Sequence, residues 1–154
     1  MADQQTPPMI AFRQPTTDQT LLDTAKSLHH AWNDALARRD AEALIALYAD
    51  DAVIESPLVA YLLGIERGIC SGKKAIRDFL PKVFAHQPDE RRTHRNPVFT
   101  DGQMVMWEYP RATPDGDPMD FAEVMELENG LIRRHRVYWG WYGVHTLTSG
   151  SHRR

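Results

Sequence analysis

Three ionisable side chains, Glu108, Glu123 and His135, lie in segments whose other residues are largely apolar. Glu123 alternates with Phe121 and Met125, and in a strand these three side chains share one face. Because an unpaired charge on an apolar face is costly, we expect Glu123 to have a partner. A carboxylate and an imidazole in an apolar hollow are groups that general acid–base chemistry uses. The pattern predicts proton removal next to a carbonyl, or a dehydration, with Glu108 as a second carboxylate across the pocket.

The turn at Asn129 and Gly130 determines which side chain faces Glu123. A two-residue type I′ loop would place Glu123 opposite Arg136, as a structural ion pair. A three-residue loop with Gly130 in the left-handed conformation would place Glu123 opposite His135 instead. The residues alone leave both registers open. In the second register the carboxylate and the imidazole would titrate as a coupled pair.

Four aromatic or thioether side chains are candidates for the walls of the hollow. Trp32 and Trp139 supply rings that fit a flat hydrophobic ligand. Met106 offers a flexible thioether that suits varied apolar ligands, although core packing is its default role. Phe121 shares the predicted face of Glu123. We therefore predict that these four residues bind a small hydrophobic molecule.

Apolar residues at helical spacing predict three helices in the first half of the chain. The first helix begins at a capping box formed by Thr20 and Asp23. The second, shorter helix begins at Asp40, a residue type that favours the N-cap position. The third begins at Ser71 or Gly72. These helices must supply one wall of any pocket, because the second half of the chain is predicted to be sheet.

The remaining segments predict a short strand, a loop and a meander of strands. A β-branched run over 52–56 is stopped by Pro57, and the apolar segment from there to Gly72 is expected to be a loop that roofs a pocket. Turn signals then separate four predicted strands, at about 93–100, 103–110, 118–127 and 131–143. Helices first and strands last is the α+β pattern, in which helices cover one face of a sheet.

Length and composition favour one globular domain. The chain has 154 residues, of which 42% are hydrophobic and 25% charged, close to average for a globular protein. We predict a flexible N-terminal arm over 1–17, a single domain over 18–145 and a polar C-terminal tail over 146–154. The net charge of −3 gives no electrostatic reason to expect nucleic acid as a partner.

The single cysteine, Cys70, excludes an internal disulfide and every cysteine-rich zinc pattern. The seven histidines show no paired ligand spacing with a carboxylate, so we predict neither a metal nor another cofactor. No signal-peptide pattern and no run near 18 apolar residues is present, so we expect no membrane association. A cytoplasmic location is the prediction that follows.

Several local strings resemble the nuclear transport factor 2-like superfamily, and within it the ketosteroid isomerase and SnoaL-like polyketide cyclase branch. They lie at residues 48–52 (YADDA), 54–57 (IESP), 123–125 (EVM), 129–132 (NGLI) and 138–140 (YWG). The resemblance spans about 18–145. It implies a curved antiparallel or mixed sheet that three helices wrap into a cone with an internal apolar pocket, a cystatin-like roll. It also implies a homodimer through the outer face of the sheet.

The resemblance also assigns individual positions. Ser56 stands in the pocket where the isomerases have an aspartate base, and Trp32 stands where they have a tyrosine that donates to the developing oxyanion. Glu123 stands at the position of a second oxyanion donor, a carboxylic acid that apolar surroundings keep neutral. Trp139 matches an aromatic residue of the pocket. The resemblance favours the hairpin register that brings His135 next to Glu123, and we expect these two residues to be neighbours.

Three functions are consistent with these observations. The first is a cofactor-independent acid–base enzyme, of isomerase, dehydratase or cyclase type, acting on an apolar carbonyl, alkene, polyketide-like or steroid-like compound. The second is a protein that binds a hydrophobic ligand without turnover, as the serine at position 56 would indicate. The third is a dimeric assembly module, which would be favoured if Glu108, Glu123 and His135 all faced solvent or one another across a dimer.

Overall fold

The structure, a computed structural model, describes residues 14–87, 97–112 and 118–150. Most of the predicted arm over 1–17 and the start of the predicted strand over 93–100 lie outside these ranges. The described elements, in chain order, are α1 (Gln19–Ala37), α2 (Ala41–Ile45), β1 (Tyr48–Glu55), α3 (Pro57–Leu63), β2 (Ile69–Ser71), α4 (Lys73–His86), β3 (Phe99–Thr100), β4 (Met104–Ala112), β5 (Pro118–Glu128), β6 (Leu131–Trp139) and α5 (Trp141–Ser149).

The six described strands form one curved, unclosed mixed sheet in the order β2-β1-β6-β5-β4-β3. Strands β1 and β6 are parallel, and all other neighbours are antiparallel. The predicted α+β class is confirmed. The parallel contact places the strand that follows α2 beside the last strand, so residues far apart in sequence share one face of the sheet.

The starts of α1 and α2 follow from capping by aspartate. Asp18 accepts a hydrogen bond from the backbone N–H of Thr20 at 2.9 Å, so α1 begins at Gln19. The predicted capping box at Thr20 is therefore wrong by about half a turn, because Asp18, two residues earlier, caps the helix by accepting from the N–H groups of Thr20 and Leu21. The predicted N-cap of α2 is confirmed, since Asp40 accepts from the N–H of Ala43 at 2.9 Å.

The segment after Pro57, predicted to be a loop, contains helix α3. Ser56 is its N-cap, with Oγ accepting from the backbone N–H of Leu58 at 3.1 Å. Pro57 occupies the first turn, where it needs no N–H donor, and Gly64 ends the helix in the left-handed conformation at φ 65°. Four described helices therefore precede β3, rather than the three predicted.

Replacing Ser56 by Ala should lower the free energy of unfolding by about 1 kcal/mol, because α3 would lose its side-chain cap. The control is Ser71→Ala at the exposed end of β2, which should change the free energy of unfolding by less than about 0.5 kcal/mol. Urea titrations of both variants measure the difference. Equal midpoints would show that the cap does not stabilise α3.

Helix α5 replaces the end of the last predicted strand and the start of the predicted tail. The backbone N–H of Gly140 donates to the carbonyl of Asp120 at 2.8 Å, and the chain turns there into α5. Residues 146–149, predicted to be polar tail, belong to this helix, and both Thr146 and Leu147 are buried. None of the helices in the described ranges is long and apolar enough to cross a bilayer.

The core lies between α1, α2, α4 and the concave face of the sheet. Its largest fully buried side chain is Trp107 of β4, whose ring contacts Trp32 of α1 edge-on at 5.5 Å between centroids. Buried residues contributed by the other strands include Tyr48, Met125 and Ile132. The core does not fill the concave face completely, and a cavity remains at one end of the sheet.

Candidate active site

A cavity of about 320 Å³ opens between the concave face of the sheet and helices α1, α2 and α4. This volume falls at the lower end of the range for small-molecule sites. Most of its wall is apolar, with contributions from Leu36, Leu44, Ile54, Phe79, Leu80 and Val83. Polar and aromatic side chains of β1, β4, β5 and β6 form the remaining wall.

Glu123 and His135 are hydrogen-bonded within this wall, with His135 Nε2 2.7 Å from Glu123 Oε2. They are 3% and 4% exposed. The expectation that they are neighbours is confirmed. Because burial of an unpaired carboxylate is unfavourable, this contact is the local reason that Glu123 can remain inside the fold.

The hairpin that joins β5 to β6 has a feature that neither predicted register contains. Its turn has two residues, Asn129 and Gly130, at φ 52° and 75°, and Glu128 pairs with Leu131. These positive φ values are those of a type I′ turn. Beyond the turn, the pairing shifts by one residue, which leaves Arg133 as an extra residue in β6. This irregularity is a β-bulge.

The bulge changes the partner of every later residue in the hairpin. Glu123 is opposite Val137, and Met125 is opposite His135. Both predicted registers, with Glu123 opposite Arg136 or His135, are therefore wrong. Glu123 and His135 meet diagonally across the two strands, a separation that long side chains can bridge. Arg136 lies on the other face of β6 and pairs with Glu126.

Behind His135, two further side chains continue the hydrogen-bonded chain. The Tyr48 hydroxyl is 2.9 Å from His135 Nδ1, and Trp32 Nε1 donates to the Tyr48 oxygen at 3.1 Å. Tyr48 and Trp32 are almost fully buried. Because the indole can only donate, the Tyr48 oxygen accepts from it, and the phenol proton is available to donate to Nδ1. In that tautomer Nε2 carries the imidazole proton and donates to Glu123.

On its other oxygen, Glu123 accepts a hydrogen bond from Tyr109. The distance from the Tyr109 hydroxyl to Glu123 Oε1 is 2.6 Å. Tyr109 is half-buried and lines the cavity, and its ring stacks on Phe121 with centroids 5.3 Å apart and planes 13° apart. Phe121 in turn meets the ring of Trp139 edge-on at 4.6 Å. An aromatic row from β4, β5 and β6 therefore borders the carboxylate.

Sequence reasoning missed Tyr48 and Tyr109. A signal for Tyr109 was present, because it shares a strand face with Val105 and Trp107, whose size and apolarity favour the interior. Tyr48 opens the string 48–52 that carries the family resemblance. Nothing local in the sequence indicates that its hydroxyl reaches His135, which is 87 residues away.

Glu108 and Met106 do not lie in the cavity, contrary to prediction. Both are exposed, and they point to the outer face of the sheet, whereas the inward residues of β4 are Val105, Trp107 and Tyr109. The physical reason is the alternation of side chains along a strand: once Trp107 enters the core, its neighbours must face outward. Glu108 supplies no second carboxylate to the pocket.

Four other predicted residues do line the cavity, namely Trp32, Ser56, Phe121 and Trp139. The Trp32 indole N–H is directed at Tyr48, so the predicted donation from Trp32 to a ligand oxygen is not the arrangement found. The Ser56 hydroxyl caps α3. The described ranges hold no cluster of three or more His, Cys, Asp or Glu side chains suited to a metal ion.

Burial raises the pKa of the Tyr48 phenol well above its ordinary value near 10, and the nearby Glu123 charge raises it further, against the hydrogen bond from Trp32. Below pH 10 the phenol is protonated in both the folded and the unfolded chain. Above pH 10 the unfolded chain loses this proton first. Tyr48 should therefore reduce the free energy of unfolding by up to about 1.4 kcal/mol per pH unit there.

Urea titrations between pH 9 and 11 measure this loss. Tyr48→Phe should show a shallower decline than the wild type over the same range, because it removes one linked proton. Parallel declines in the two proteins would contradict the assignment of a raised pKa to Tyr48.

Comparison with known proteins supports the fold. The family model for the SnoaL-like domain matches residues 29–135. Among solved structures, a SnoaL-like protein of unknown function from Burkholderia thailandensis is 19% identical, with 82% of this chain and 99% of that chain covered and a TM-score of 0.64. A steroid delta-isomerase from Pseudomonas aeruginosa is 22% identical, with 85% of this chain and 90% of that chain covered and a TM-score of 0.64.

An NTF2-like protein of unknown function from Mesorhizobium loti is 23% identical, with 81% of this chain and 97% of that chain covered and a TM-score of 0.62. No curated protein sequence matches the chain. At these identities the similarity to solved structures shows the fold alone, so arguments about chemistry rest on the side chains of the cavity.

Proposed function

This chain belongs to the SnoaL-like domain family, and we propose that it is a cofactor-independent acid–base enzyme that moves a proton on an apolar carbonyl compound. Isomerisation through an enolate, dehydration of a β-hydroxy ketone and aldol-type cyclisation all begin with such a step. The observation that carries the proposal is a buried carboxylate, Glu123, on the wall of an apolar cavity, hydrogen-bonded to His135 on one oxygen and to Tyr109 on the other.

Glu123 is the base in this proposal. Its carboxylate lies among apolar walls, where water competes little for its lone pairs and electrostatic interactions are strong. A ligand carbonyl that approaches Tyr109 takes over the phenol hydrogen bond, which frees Glu123 Oε1 to accept the proton from the adjacent carbon. The C–H electron pair moves into an enolate, and the Tyr109 O–H donates to the enolate oxygen.

His135 and Tyr48 hold the base in position. The imidazole N–H fixes one carboxylate oxygen, and the phenol fixes the imidazole tautomer through Nδ1. A preorganised hydrogen-bond chain needs no rearrangement as charge moves, which is the main way in which enzymes stabilise developing charge. Tyr48 and His135 are positioning residues in this scheme, and Glu123 and Tyr109 are the groups that touch the ligand.

A second candidate function is binding without turnover. The observation that favours it is Ser56, which occupies the position of the family's aspartate base and is used as a helix cap. A cavity without a carboxylate at that position could store or carry a hydrophobic compound. The third function, an assembly module alone, loses its support because Glu123 and His135 face the cavity and not solvent.

We also propose that two copies associate through the outer face of β4 to β6. Met106 and Tyr138 are 42% and 54% exposed on this face, and contiguous exposed apolar side chains are typical of interaction sites. Light scattering after gel filtration should give twice the mass of one chain. Tyr138→Arg should shift the protein towards single chains, and a monomeric wild type would contradict the proposal.

The test of the enzymatic proposal is deuterium uptake from heavy water. Bicyclic and steroid ketones, including 2-tetralone, are incubated with the protein near neutral pH, and uptake next to the carbonyl is followed by NMR. The proposal expects uptake well above the rate in buffer for at least one compound. Saturable binding with uptake only at the buffer rate across the series would favour the second candidate instead.

A further inference from the structure

Two buried polar atoms in side chains that line the cavity have no hydrogen-bond partner among the residues that the structure describes. They are the indole nitrogen Nε1 of Trp139 and the amide oxygen Oε1 of Gln87. One is a donor and the other is an acceptor. Buried polar groups in folded proteins are almost always paired, so an unpaired donor and acceptor along one cavity require an explanation.

The orientation of each group follows from its contacts. The Gln87 amide nitrogen donates to the backbone carbonyl of Leu36 at 2.9 Å. A carbonyl can only accept, so this bond fixes which end of the amide is Nε2 and leaves Oε1 as the unpaired acceptor. The Cε3 edge of the Trp139 ring faces α5, where a Cβ built on Gly143 would lie 3.3 Å from it. The opposite edge, which carries Nε1, is turned away from α5.

Both side chains line the cavity, and the strand register and the contacts of α4 locate them relative to Glu123. Trp139 follows Val137, the residue opposite Glu123, by two positions on β6, which places it about 7 Å further along the strand. Gln87 follows the last residue of α4, His86, whose backbone carbonyl accepts from Arg111 of β4 at 3.0 Å. This contact holds the end of α4 near Arg111, which lies two residues beyond Tyr109 of the aromatic row on β4.

We propose that Trp139 and Gln87 form a second polar subsite, which recognises a hydroxyl group at the far end of the ligand. A hydroxyl can accept from the Trp139 indole and donate to the Gln87 amide oxygen, so one group satisfies both atoms. With the reactive carbonyl next to Glu123, the ligand is a flat compound of about two fused rings that carries oxygen at both ends. The placing of the carbonyl rests on the proposed function; the hydroxyl subsite does not.

Three matched ketones test the subsite through their dissociation constants. They are 2-tetralone, 6-methoxy-2-tetralone, which adds an acceptor, and 6-hydroxy-2-tetralone, which adds an acceptor and a donor. The hydroxy compound should bind at least about 10-fold more tightly than 2-tetralone, because it pairs two buried groups that otherwise stay unpaired. The methoxy compound should fall between them.

Variants separate the two contacts. In Trp139→Phe the methoxy compound should lose its advantage over 2-tetralone, whereas in Gln87→Met the hydroxy compound should lose its advantage over the methoxy compound. Trp141→Phe is the matched control, because Trp141 is 82% exposed on α5 and should leave all three constants unchanged. If Trp139→Phe fails to fold, Gln87→Met alone tests the subsite, through the loss of the advantage of the hydroxy compound over the methoxy compound.

Equal affinities of the three ketones for the wild type would overturn the subsite, as would an advantage of the hydroxy compound that survives in both cavity variants. These outcomes are independent of catalysis. A preference for the hydroxy ketone without deuterium uptake would support the subsite and reject the enzymatic proposal. Deuterium uptake without this preference would support the enzymatic proposal and reject the subsite.

Discussion

Glu123→Gln should lower the catalysed rate of deuterium uptake by at least about 100-fold, because the amide cannot accept the proton that the carboxylate accepts. Removal of a general base has effects of about 10²–10⁴-fold. The substitution keeps the shape of the side chain, so the cavity and the affinity for ketones should change little. The measurement is the uptake rate at saturating ketone, with the rate in buffer subtracted.

Glu108→Gln is the matched control for this prediction. Glu108 lies two residues after Met106 on the outward face of β4, is exposed and does not line the cavity. The control therefore makes the same chemical change outside the pocket, and its uptake rate should stay within about 2-fold of the wild type, because a surface substitution leaves the site unaltered. Loss of activity in both variants, or in neither, would reject Glu123 as the base.

Tyr48→Phe should lower the free energy of unfolding by about 2–4 kcal/mol, since two buried groups lose their partner. The phenyl ring fills the same space, so the loss comes from hydrogen bonding and not from a cavity. Without the hydroxyl, the Trp32 indole loses its acceptor and His135 Nδ1 loses its donor. Both atoms are buried, and each unpaired buried group costs about 1–3 kcal/mol.

Urea titration measures this loss, with Tyr142→Phe as the matched control. Tyr142 is 43% exposed on α5, away from the proposed dimer face, so removal of its hydroxyl should change the free energy of unfolding by less than about 0.5 kcal/mol. Nitrogen NMR of histidine-labelled protein adds a second readout, since wild-type His135 should carry its proton on Nε2. A proton on Nδ1 would contradict the role given to Tyr48, as would equal stability of the two variants.

Local sequence signals determined much of the fold. Apolar residues at helical spacing indicated α1 and α4, and Asp40 marked the start of α2. The turn residues Asn129 and Gly130 fixed the hairpin between β5 and β6. These signals are reliable because capping, turn formation and amphipathic periodicity depend on residues within a few positions of one another.

The same kind of reasoning located part of the site. Glu123 follows from the need of a carboxylate in an apolar strand for a partner. His135 was expected beside it through the family resemblance, and the contact is found although the register that led to it is wrong. The signals for α3 are also local, although Pro57 and Gly64 as breakers of regular structure predict a loop. They are the N-terminal and C-terminal signals of a short helix capped by Ser56.

Tertiary structure alone decided the rest. The bulge at Arg133 set the register that brings Glu123 to His135 diagonally, and the entry of Trp107 into the core turned Glu108 outward. The parallel contact of β1 with β6 brought Tyr48 to the imidazole. Each of these depends on which distant surfaces pack together, and the free energy of that packing belongs to the whole core. A strand's own residues specify its alternation, but only its neighbours determine which of the two faces is buried.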